Sequence, residues 1–179
     1  MKTFFLICLL LLFTSCSNKE TLEKINLEQS KFSFENILSN NNEDTIFIKS
    51  RFADCGEWGG HEELIKVYRS ERKIKLTYIK YKVSCDRMDS SGLIIQNKYF
   101  TTNFILSDVQ QLSLMNYFNN LMKLKFIDKE YGNSGNSFLI EDSKGQLRIS
   151  QYGNNIQLLY NYNSLMKSFG LSKVIIENK

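Results

Sequence analysis

The chain has no proline, one histidine, one tryptophan, four cysteines and nine glycines in 179 residues. Each scarcity removes a possibility. A single histidine leaves no pair for the usual catalytic zinc site, which takes three protein ligands, often two of them histidine. The one long apolar run, Phe4 to Phe13, is too short to span a hydrocarbon core of about 30 Å, which takes roughly twenty helical residues. Charge of one sign is not in excess. Twenty-three basic against nineteen acidic residues give a net of +4, an ordinary surface without clustered basic residues, so no nucleic-acid partner is expected. The glycines lack the following lysine and serine of a phosphate loop. No internal repeat, coiled coil or second domain is visible. The missing proline, beside abundant asparagine and lysine, reads as the compositional bias of an AT-rich genome.

What is present begins with the leader. Lys2 supplies a short positive segment, Phe4 to Phe13 an apolar core of signal-peptide length, and Thr14-Ser15 small polar residues before Cys16. The end of this run, Phe13-Thr14-Ser15-Cys16, resembles the lipobox of bacterial lipoproteins, an aliphatic residue and two small ones before cysteine. Phe13 departs from the commoner leucine, which stands one place earlier as Leu12. The resemblance covers only the leader. It implies cleavage after residue 15, lipidation of Cys16, and an envelope location held by the lipid, at the outer membrane. Leader and composition together are similar in style to small lipoproteins of the Bacteroidota.

The expected organisation is a signal peptide over 1–15, a lipidated N-terminus and polar tether over 16–30, and one domain over 31–179. A 42% apolar and 13% aromatic composition suffices for its core. Cys8 falls in the leader and Cys16 carries the lipid. Cys55 and Cys85 remain, an even pair in an oxidising compartment, and a disulfide is their default state.

Along the domain, Thr45 to Phe52 alternates as a strand, Leu64 to Arg69 is the next, and Lys73 to Ser84 a long third. In that third strand Ile74, Leu76 and Tyr78 share one face. Ile79, Tyr81 and Val83 then carry the apolar series on the other. The slip predicts a β-bulge near Tyr78-Ile79, with Lys73, Lys75, Lys80 and Lys82 on the solvated side. Leu93 to Leu106 is extended. Ser107 with Gln110 forms a capping box for a helix whose buried stripe is Leu114, Tyr117, Phe118, Leu121 and Met122. Ser137 to Asp142 and Gln146 to Tyr152 make a hairpin. A last helix carries Tyr162, Leu165, Met166 and Phe169, with Asn161 as its cap and Gly170 as its stop. The fold class is therefore α+β: a bent antiparallel sheet of about five to seven strands, one long packed helix and a short C-terminal helix.

The densest chemistry is Asp54-Cys55-Gly56-Glu57-Trp58-Gly59-Gly60-His61-Glu62-Glu63. Glu57, Trp58, His61 and Glu62 are the candidate binding residues, since tryptophan on a tethered loop is a common recognition anchor. The structural alternative is that the glycines permit positive φ beside a disulfide and Trp58 packs against it. A zinc site from Cys55, His61 and Cys85 would need reduced thiolates, against the compartment. A Cys55–His61 nucleophile is disfavoured because the bridge uses the cysteine. Asp86 to Gly92 lacks the spacing of a calcium loop, and Tyr152, Tyr160 and Tyr162 read as strand, turn and helix-core residues. No catalytic residue, metal or cofactor is expected. The composition and motifs favour a non-catalytic binding module with an unknown protein or glycan partner. An inhibitor or immunity-type lipoprotein blocking a hydrolase or toxin is the alternative. An envelope glycan hydrolase would need a cleft bringing His61 to Glu57, Glu62 or Asp86.

Overall fold

The computed structural model describes residues 38, 44–56, 59–127 and 135–176. These form an α+β domain: strands β1 (Thr45–Arg51), β2 (Glu62–Ser70), β3 (Lys73–Lys82) and β4 (Asn97–Ile105), helix α1 (Asp108–Ile127), strands β5 (Ser137–Asp142) and β6 (Arg148–Tyr152), and helix α2 (Ile156–Ser168). The sheet is antiparallel throughout, in the order β4-β3-β2-β1-β5-β6. Strands β1 to β4 form a meander, and the β5–β6 hairpin is added beside β1.

Alternation decides which side is covered. Ile46 and Ile48 of β1, Ile65 and Val67 of β2, Leu76 of β3 and Ile140 of β5 point to one face and are buried. Both helices pack on that face: Leu114, Tyr117, Phe118 and Leu121 of α1 and Leu158, Tyr162, Leu165 and Met166 of α2 join the same core, as does Leu38. The expected capping box closes the start of α1, where Ser107 N–H donates to Gln110 Oε1 at 3.0 Å and Gln110 N–H to Ser107 Oγ at 3.4 Å. Gly170, at φ +71°, turns the chain out of α2.

Three expectations are corrected. First, α2 begins a turn and a half early. Asn155 caps it by accepting from Gln157 N–H, whereas Asn161 is buried and bridges the helices, donating to Tyr117 O and accepting from Asn120. Second, β3 runs in unbroken register against β2 through Tyr78 and Ile79. The irregularity lies one step on, where Lys80 pairs with Phe100 but Tyr81 with Lys98, so the extra residue is Tyr99 of β4. Third, Lys80 is not on the solvated side. It takes the core-facing position after Tyr78 because a buried carboxylate, Glu63, awaits it there at 3.0 Å.

Candidate functional site

The segment between β1 and β2 folds into a closed loop. Phe52 turns into the core and donates its N–H to His61 O at 3.0 Å, so the loop leaves and returns at one point. Within it, Cys55 N–H donates to Gly59 O at 2.7 Å. Gly60 is required by contact: a Cβ there would lie 2.1 Å from Phe52 O. Gly56 and Gly59 are needed for another reason, their positive φ of 68° and 98°. The disulfide Cys55–Cys85 ties the loop to the segment after β3, with Cα atoms 5.3 Å apart. Glu57, Trp58 and Cys16, the expected lipidation site, lie outside the described residues.

His61 is inside the fold, stacked on Phe52 with ring centroids 5.0 Å apart. Its Nδ1 meets Asp54 Oδ2 and its Nε2 lies 3.3 Å from Glu63 Oε1. Glu63 is fully enclosed. Lys80 Nζ reaches its Oε1 at 3.0 Å and Tyr162 Oη donates to its Oε2 at 2.7 Å. Burial by itself would lower the His61 pKa, but the hydrogen bonds to Asp54 and Glu63 and their charges outweigh it and raise it to about 9. Burial would raise Glu63, yet the bonds from His61, Tyr162 and Lys80 hold it below the usual carboxylate range. Burial and the neighbouring Glu63 charge push Tyr162 well up, so it remains a neutral donor.

This cluster fastens elements together. At neutral pH His61 is an imidazolium with both nitrogens against carboxylates, and it has no lone pair with which to accept a proton. Glu62 and Asp86, named with it as possible catalytic partners, are not brought to it. Glu62 leaves β2 on the opposite face, and Asp86 is exposed beyond the disulfide. Among the described residues no group of three or more histidine, cysteine, aspartate or glutamate side chains is arranged to hold a metal. The partners of His61, Asp54 and Glu63, lie in the stretch singled out from the sequence without being named as site residues, and the sequence places Lys80, which reaches Glu63, on the solvated side. The parity slip in β3 was the signal for Lys80, since it marks where a lysine replaces an apolar residue on the buried face.

The other face of the sheet carries no helix among the described residues. A cavity of about 340 Å³ opens there, with Arg51 and Lys49 of β1, Leu64 of β2, Tyr81 of β3 and Leu139 of β5 in its wall. Lys49 is paired with Glu141 at 2.6 Å and lies over the Phe47 ring at 5.8 Å. Arg51 Nη2 donates to the neutral Tyr152 Oη at 3.1 Å, and its Nε is buried without a partner. Glu62, its cross-strand neighbour, forms no ion pair with it. No family model, curated protein or solved structure matches the chain.

Proposed function

We propose that the chain is an envelope lipoprotein, lipid-anchored through Cys16, whose domain is a non-catalytic binding module working through the helix-free face of its sheet. The observation that carries the reading is the charged concavity on that face, where Arg51 forms no ion pair among the described residues. Enclosure of the only histidine between Asp54 and Glu63 supports it from the other side, because the chain's best acid–base group is occupied. The leader supplies the anchor. The test is photo-cross-linking in intact cells from a benzoylphenylalanine at Lys66, on the helix-free face, and at Lys123, exposed on α1. A discrete adduct from Lys66 alone is expected. Adducts from Lys123 alone, or from both positions alike, would contradict the reading. Intact mass of the membrane-extracted protein tests the anchor, with residues 16–179 plus acyl chains expected.

One observation favours the inhibitor reading. The segment after the disulfide is a braced hairpin: Met88 bridges to Ile94, Asp89 N–H donates to Leu93 O at 2.8 Å, and Asp89 Oδ1 accepts from Ser91 and Leu93 N–H. Met88 and Leu93 are exposed on it. A rigid loop with apolar flanks suits insertion into a cleft. On this reading Met88→Asp with Leu93→Asp dissociates a stoichiometric protein complex and leaves the Lys66 adduct intact.

A further inference from the structure

Of the two cations in the cavity wall, Lys49 and Arg51, only Lys49 forms an ion pair among the described residues. Lys49 and Arg148 share Glu141, Lys75 has Glu71, and Lys80 has Glu63. Arg51 is half-buried and, among the described residues, is held by a tyrosine hydroxyl and by no carboxylate. Its guanidinium is nonetheless held still. Gly59 lies flat beside it, so that a Cβ there would sit 3.5 Å from Nε, and Tyr152 holds the other edge. A fixed, partly desolvated cation in ion-pair contact with no carboxylate of the described residues is poised for an anion, because the desolvation and ordering costs precede binding. The planar fork of arginine matches a carboxylate in particular.

We propose that this cavity binds a ligand's single terminal carboxylate and the apolar group beside it, the C-terminal end of a peptide, with Arg51 as the anchoring cation. The proposal rests on the helix-free face being the binding surface and gives that surface its ligand class. Two features select the peptide end over other anions. Leu64 and Leu139 flank Arg51 and Lys49 on the same face, offering an alkyl seat that a bare phosphate cannot use. Glu62, exposed opposite Arg51 and in the same cavity wall, repels any anion, and least the one that carries a single charge. The volume, about 340 Å³, lies at the small end of ligand pockets and takes one or two residues of a chain end.

The test is ligand-observed NMR on the detergent-extracted full chain, with N-acetyl-L-leucine against N-acetyl-L-leucinamide as probes and with glucuronate and inorganic phosphate as competitors. The acid should bind at least tenfold more tightly than the amide. Arg51→Gln should erase that preference while the thermal melt stays unchanged, Arg51→Lys should keep part of it, and Tyr152→Phe should keep it all. Equal binding of acid and amide, a preference that survives Arg51→Gln, or displacement by glucuronate or phosphate at lower concentration would overturn the proposal. Its failure is separable from that of the binding-face reading. An intact Lys66 adduct with no preference for the acid refutes only the carboxylate site, whereas loss of the adduct refutes the face itself.

Discussion

Glu63 and Arg51 lie on neighbouring strands at the same level of the sheet, Glu63 opposite Ser50 and Arg51 opposite Glu62. They point to opposite faces and are treated in opposite ways. Under the helices, Glu63 is enclosed and receives His61, Lys80 and Tyr162, so every charge has its complement. On the open face, Arg51 is positioned but left with a neutral partner. The first arrangement makes architecture, because removing any member strands the others in a low-dielectric interior. The second adds little to folding and leaves the attraction of its charge available to something outside the chain. The sheet thus sends Glu63 and Arg51, close in sequence, into a closed network on one face and an open one on the other.

The comparison breaks most sharply at Glu63. Glu63→Gln leaves Lys80 without its carboxylate and His61 with Asp54 alone, and should cost about 3–5 kcal/mol in urea unfolding. A cost near zero would remove the structural role of the cluster. The covalent fastening of the same loop should rank close behind. Replacing Cys55 and Cys85 by serine opens a loop of 30 residues and should cost about 3–4 kcal/mol on the chain-entropy estimate.

A smaller effect comes from pH. The folded value of His61, about 9, lies above its ordinary 6.5, so its contribution is complete below pH 6.5 and is lost as pH rises through 9. The loss should reach up to about 3 kcal/mol. Glu63 is displaced downward, so its contribution is complete above the ordinary carboxylate range and is lost in acid. Unfolding measured from pH 6 to 10 should therefore decline, and His61→Gln should flatten that decline. The smallest change belongs to the open face. Arg51→Gln should alter stability by less than about 1 kcal/mol, as surface substitutions usually do, and a cost as large as that of Glu63→Gln would give Arg51 a structural role as well.

Local signals carried much of the fold into the sequence. The Ser107–Gln110 box, the Leu114-Tyr117-Phe118-Leu121 stripe, the Gly170 stop and the Cys55–Cys85 pairing are written in a few adjacent or periodic residues, and the structure contains each of them. The Glu63 cluster was not legible in that way. Glu63 stands in the sequence only as an acidic neighbour of His61, and Lys80 reads as one more surface lysine. Only the register of β2 on β3 shows that they face each other across the buried side. Asn161 misled for a related reason: asparagine is a common cap, but this one satisfies its side chain between two helices, a long-range fact. The proposed role of Arg51 was equally hidden, since the lack of an ion pair among the described residues is a property of its surroundings.

The most direct measurement is an NMR pH titration of the His61 ring, the only histidine in the chain and therefore unambiguous to assign. If His61 is the structural cation described here, it remains protonated at neutral pH on both nitrogens and titrates near pH 9. A midpoint at or below 6.5, with one nitrogen free, would contradict the account. It would return His61 to use as a base and reopen the enzymatic reading.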